Sequence, residues 1–172
     1  MHLNRRKILL CTLMIGVPVS LSGQQERWKE LLVRSIQLSN EGKYAEAIPL
    51  AKDALHVAEA TFGPADTNVA TSLHLLAQLY RNTRNKDKYS EAESLLKRAL
   101  DIREKALGPE HPDVADILNE LGNLYYEEGR YSDAEPLLKR ALDVYEKALG
   151  PEHPYVAASS NNLGKLYRDV GN

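Results

Sequence analysis

The sequence predicts an all-α fold, a solenoid of about three and a half antiparallel helix pairs. The first observation behind this is a repeat. Residues 95–115, LLKRALDIREKALGPEHPDVA, return at 137–157 as LLKRALDVYEKALGPEHPYVA, with three of 21 positions changed at an offset of 42. A fixed period in this range marks stacked helical units. The second is apolar spacing. Leu95, Leu96, Ala99, Leu100 and Ile102 form one stripe on a helix, and no segment sustains the period-two alternation of a strand. The third is the placing of breakers, which fall between the periodic segments at Glu41-Gly42-Lys43, Gly63-Pro64, Gly108-Pro109, Glu128-Gly129-Arg130 and Gly150-Pro151.

These signals place seven helices. The first, over 27–41, closes at Gly42. The second, over 44–61, opens on Tyr44-Ala45-Glu46-Ala47, which matches Tyr89-Ser90-Glu91-Ala92 and Tyr131-Ser132-Asp133-Ala134. The third spans 67–82, with Asp66 as its N-cap. Residues Arg84 to Lys88 then lengthen a turn and raise the offset between the first two copies to 45. The fourth helix spans 89–106. The fifth, over 112–128, carries Val114, Ile117, Leu118, Leu121, Leu124 and Tyr125 on one face. The sixth spans 131–148 and the seventh 154–170. Pro112 and Pro154 suit a first helical position, where a missing N–H is no loss. Gly108 and Gly150 suit a left-handed C-terminal residue, with Pro109 and Pro151 blocking continuation. Pro49 and Pro136 lie deeper, where each forgoes one backbone hydrogen bond. The repeats therefore run over about 27–66, 67–111 and 112–153, followed by a lone helix.

The N-terminus reads differently. Arg5, Arg6 and Lys7 precede the apolar run ILLCTLMIGVPV and the small polar stretch Ser20 to Gly23. That is the layout of a secretory signal peptide over 1–23, cut after Ser22 or Gly23, with the mature domain over 24–172. The run is too short for a membrane-spanning helix, which needs about 20 residues. Export to a periplasmic or extracellular location is the expectation, with an uncleaved N-terminal anchor as the alternative. Cleavage would remove Cys11, the only cysteine, leaving no disulfide, thiolate or cysteine-based metal site. It would also remove three basic residues and move the formal net charge from −2 to −5.

A near-neutral chain with no broad basic field is a poor nucleic-acid binder. High hydrophobic content, 43%, with mixed charge argues against disorder. Nine of the eleven aromatic residues are Tyr, which suits many thin apolar seams better than one thick core.

The pattern resembles the tetratricopeptide repeat, in a 42-residue form similar to that of kinesin light chains and many bacterial relatives. Leu76-Ala77, Leu121-Gly122 and Leu163-Gly164 match the large–small pair of the family's first helix. Tyr80, Tyr125 and Tyr167 match its aromatic position, and Ala47, Ala92, Ala134, Ala54, Ala99 and Ala141 the small positions of its second helix. Small residues let antiparallel helices approach and large ones fill the seams. The resemblance covers about residues 27–172 and implies a right-handed superhelix that binds protein. The first pair departs from it, with Ser35 and Leu38 where Gly or Ala and Tyr are usual. The last helix is expected to be unpaired; Ser159, Ser160, Asn161, Asn162, Lys165, Arg168 and Asp169 would solvate its outer side as a cap, or that side is an open edge that a partner or a second copy covers.

No phosphate loop, nucleophile elbow, zinc-protease or calcium-loop pattern occurs, so no catalysis, small-molecule substrate or cofactor is expected. Glu110-His111 and Glu152-His153 occupy equivalent turns about one helix-packing distance apart (~10 Å), which suits helix caps rather than a shared metal. His56 reads as structural, and Lys97-Arg98 and Lys139-Arg140 as solvated outer faces. The family register implies that the first helices line the concave side. It places Thr71, His74, Gln78 and Arg81 there, then Asp116, Asn119, Asn123 and Tyr126, then Ala158, Asn161, Lys165 and Arg168. The residues expected to hold a peptide are His74, Gln78, Asn119, Asn123, Asn161 and Lys165. Asn119 and Asn161 sit where kinesin-light-chain-like repeats place an Asn for an extended backbone. A carboxamide both donates and accepts, so it can satisfy a peptide unit of any sequence.

Overall fold

The computed structural model describes residues 20–171. Seven helices follow in order: α1 Leu21–Asn40, α2 Tyr44–Phe62, α3 Thr67–Asn82, α4 Tyr89–Leu107, α5 Pro112–Glu127, α6 Tyr131–Leu149 and α7 Pro154–Val170. The chain turns back after each helix, giving the pairs α1–α2, α3–α4 and α5–α6, with α7 packed on α6. Residues 1–19, which hold most of the expected signal peptide, lie outside the described residues.

One boundary needs correcting. Helix α1 begins at Leu21, six residues before the expected start, because Ser20 caps it by accepting from Gly23 N at 3.2 Å. The stretch read as a cleavage region is therefore helical from Leu21 onward. A cut after Ser22 or Gly23 would remove this cap but leave Trp28, the first buried residue of α1.

The turns follow the breakers. Gly63, Gly108 and Gly150 end α2, α4 and α6 with φ of 88°, 86° and 87°, but with ψ near 158° rather than in the left-handed helical well. That extended, positive-φ region is open essentially to glycine alone. Helix starts are capped as well. Asp66 Oδ1 accepts from Asn68 N at 2.8 Å, and His111 and His153 Nδ1 accept from Asp113 N and Tyr155 N at 3.1 and 3.2 Å. The two histidines are thus helix caps, each followed by its Pro at the first turn. The insertion after α3 forms a short 3₁₀ turn over Lys86–Lys88, reached through Arg84 at φ 54°.

The core is a chain of seams rather than a single centre. Ala47, Ala51 and Ala54 of α2, Ala92 and Ala99 of α4, and Ala134 and Ala141 of α6 are fully buried or nearly so. Each lets its helix approach the flanking first helices. Ser35, the departure in the first pair, is buried and donates to Ala47 O at 3.0 Å, so its hydroxyl is satisfied where the later pairs carry Ala or Gly. Trp28 closes the first seam, donating to Ser72 Oγ at 2.9 Å and packing edge-on against Phe62 with ring centroids 5.2 Å apart.

Curvature follows from how the helices approach. Backbones of α1 and α3, α3 and α5, and α5 and α7 come within 8 Å, whereas those of α2, α4 and α6 do not meet one another. The odd-numbered helices therefore line the inner face. Across the wider outer face, long side chains bridge the gap. Arg98 reaches Glu59 at 2.6 Å and Arg140 reaches Glu104 at 2.7 Å. This corrects the reading of Lys97-Arg98 and Lys139-Arg140 as merely solvated. The lysines pair within their own helix, and the arginines tie neighbouring repeats together. His56, expected to be structural, is exposed on α2.

Candidate binding groove

The inner face presents the positions that the repeat register selects, but they do not form a uniform ladder. His74, Gln78 and Asn119 come together with Asp116, Glu120, Tyr145, Tyr155 and Ala158 around a cleft of about 280 Å³. Asn123, Asn161 and Lys165 lie outside that cleft; Asn123 is half-buried, while Asn161 and Lys165 are exposed.

Within the cleft the polar groups are tied to each other. Gln78 Nε2 lies 3.1 Å from His74 Nε2 and donates to Glu120 Oε1 at 3.5 Å. Glu120 is also held by Arg81 at 2.9 Å. Burial, and then the positive charges of Arg103 and Arg81, push His74 down to about 3, so it is neutral at physiological pH. Burial pushes Glu120 up, with Arg81 pulling the other way. Tyr145 donates to Asp116 Oδ1 at 2.5 Å, and burial followed by this bond raises its phenol well above the usual range.

Asn119 and Asn161 were expected to act alike. They do not: Asn119 Oδ1 accepts from Asn162 Nδ2 at 3.1 Å, one position beyond its repeat equivalent. That contact was invisible in sequence because Asn162 reads as an outer-side polar residue. Asn162 is half-buried, and Ser159, placed in the same polar cap, is fully buried. The rest of the expected polar cap, Ser160, Asn161, Lys165, Arg168 and Asp169, is exposed, and Ala157, Ser160 and Gly164 add a row of small side chains along the same helix. Lower in the groove, Tyr126 donates to Asp169 of α7, joining the last two inner helices.

A second polar cluster ties α4 to the next pair. Glu93 accepts from Tyr125 Oη at 2.9 Å and Arg130 Nη1 at 2.9 Å, and Arg130 lies 3.9 Å from the Tyr125 ring centre. One repeat on, Glu135 accepts from Tyr167 Oη at 3.1 Å, with Lys139 over that ring. Tyr125 and Tyr167 therefore each tie their helix to the second helix of the repeat before.

Among the described residues, no group of three His, Cys, Asp or Glu side chains is arranged to hold a metal ion, and no helix is long and apolar enough to cross a membrane.

Stacked helix pairs with an inner polar groove define an α-helical repeat scaffold. Sequence patterns of the tetratricopeptide repeat match residues 82–147, 113–172 and 38–68, more than half of the chain. The protein belongs to the tetratricopeptide repeat family. Its members typically engage protein partners and are not catalytic. Among solved structures it is similar to BtubC (BKLC) from P. vanneervenii, with a TM-score of 0.75 and 24% identity over 84% of this chain. It spans 56% of that protein's length, and the likeness concerns the fold. It is also similar to a kinesin-light-chain candidate from Podosopora anserina with nearly identical TPR-like repeats. There the TM-score is 0.74 and the identity 25%, covering 88% of this chain and 68% of that one. No curated protein matches the chain.

Proposed function

We propose that this protein is an exported scaffold that binds a polypeptide segment along the inner face of α3, α5 and α7. The observation that carries this reading is a face of amide, carboxylate and phenol groups with hydrogen-bonding capacity left over. Asn123 is half-buried and Asn161 exposed, and neither enters the bonds that tie His74, Gln78, Glu120, Asn119 and Asn162 together. An Asn in the interior of a helix is disfavoured unless its amide is used. An extended peptide presents one donor and one acceptor per residue, which matches what these amides offer. No turnover is involved; the helices hold polar groups in place so that a segment binds without reorganising the scaffold.

Export is proposed from the basic, apolar and small-residue layout of Arg5 to Gly23. N-terminal sequencing of the protein made in cells checks it: a chain starting near Gln24 supports export, and a cytosolic chain starting at Met1 contradicts it. A second reading is favoured by one observation. Gly164 and its small neighbours leave α7 with room for another helix, so a second copy docking there would make the protein a structural component of a larger envelope assembly.

A pull-down from envelope extract separates the two readings. The wild-type chain is compared with Asn123→Ala/Asn161→Ala, two changes that break no internal bond. A partner held by the wild type and lost by the double variant at unchanged helicity supports the groove. A partner retained by both contradicts it, and recovery of the chain itself moves the function to α7.

A further inference from the structure

The 21-residue segments at 95–115 and 137–157 differ at three positions, of which two are Arg103/Tyr145 and Asp113/Tyr155. Those two exchanges shape the cleft. Between the second and third repeats, Arg103 is buried and donates through Nη1 to Asp113 O at 2.8 Å. One repeat later the same two positions carry tyrosine rings, with centroids 5.6 Å apart and planes inclined by 52°. The exchange removes a cation and supplies two aromatic walls. Tyr145 is buried, but Tyr155 stays 54% exposed at the rim.

Charge in the cleft is also unbalanced. Glu120 has Arg81 as its counter-ion at 2.9 Å. Asp116 has only the neutral Tyr145 hydroxyl, and among the described residues no Lys, Arg or His nitrogen lies within 4.0 Å of it. A phenol donor stabilises a carboxylate without neutralising it. The nearby positive groups are committed: Arg81 to Glu120, and Arg103 to a backbone carbonyl. His74 faces the same space as a neutral ring.

From this geometry we infer that the cleft receives a Lys or Arg side chain of the bound segment, its apolar stem along Tyr155 and its charged head at Asp116. This rests on the groove reading and names the chemistry of the segment. An aromatic face attracts a cation through its quadrupole, and a long basic side chain buries its methylenes while keeping its head on a carboxylate. The cleft, at about 280 Å³, has room for one long side chain rather than a folded element.

The test is selection of random twelve-residue peptides displayed on phage against the full chain. Selected peptides are expected to carry Lys or Arg at one fixed position. Asp116→Asn should weaken the parent peptide at least tenfold and leave the peptide with Ala at that position unaffected. Tyr155→Ala should weaken the parent about threefold. Tyr145→Phe removes the bond to Asp116 but keeps its charge, and should retain binding, which separates lost charge from a disturbed fold. Peptides with no basic position that are still lost with Asn123→Ala/Asn161→Ala would overturn the pocket and leave the groove reading standing. Peptides indifferent to every one of these changes, or a selection that yields none, would overturn both.

Discussion

Helices α5 and α7 carry the same large–small pair in the same register, and their surroundings differ completely. A methyl group on Gly122 of α5 would lie 2.7 Å from both Cγ and Cδ2 of Leu138 and 3.4 Å from Ala134 O. On Gly164 of α7 it would meet nothing within 4 Å. Ala115 and Leu118 of α5 are fully buried, while their equivalents Ala157 and Ser160 are exposed. The difference teaches that a repeat sequence specifies an interface and not its occupancy. Position 122 needs glycine because α6 is there, whereas among the described residues no helix covers position 164.

The largest expected effect lies on the covered side. Leu138 is fully buried, so Leu138→Ala should cost about 2–5 kcal/mol in urea unfolding, from lost transfer energy and the cavity left behind. Gly122→Ala should cost about 1–3 kcal/mol, because a fully packed leucine must shift. The two changes should be markedly non-additive, since Leu138→Ala removes the atoms that the new methyl meets. On the uncovered side the sign reverses. Gly164→Ala should stabilise the chain by up to about 1 kcal/mol through helix propensity alone. A clear loss of stability from Gly164→Ala would mean that α7 is covered in solution by another chain.

A smaller effect sharpens the same contrast along the groove, where His74 and Asn161 are register equivalents. His74 is held down to about 3, so the folded chain refuses a proton that the unfolded chain takes up near pH 6.5. Stability is therefore intact above about pH 6.5 and falls as pH drops towards 3. Glu120, raised by burial, acts in the opposite sense. His74→Gln should flatten the decline in urea midpoint between pH 6.5 and pH 4. A histidine placed at the exposed end, Asn161→His, should titrate near its ordinary value of about 6.5 by NMR. Equal titration at both positions would break the contrast.

Much of this was legible from local signals. Six of the seven helices start or stop within two residues of where Gly-Pro, Asp66, Pro112 and Pro154 place them, because caps and breakers act over one turn. The start of α1 was missed, since Leu21-Ser22-Gly23 has the small-residue look of a processing site while Ser20 serves as a helix cap. Contacts between repeats were harder to read. Arg98 with Glu59, and Asn119 with Asn162, join residues 39 and 43 positions apart, and only the stacking of pairs brings them together. The cleft had a signal that spacing alone did not interpret: two of the three differences between otherwise identical segments fall at Tyr145 and Tyr155.

The inner face as the working surface is tested most directly by amide NMR of the full chain with a selected peptide. Shifts are predicted to concentrate on α3, α5 and α7, around Gln78, Asp116, Asn123 and Asn161. Shifts confined to α2, α4 and α6, or to the open side of α7 around Gly164, would contradict it.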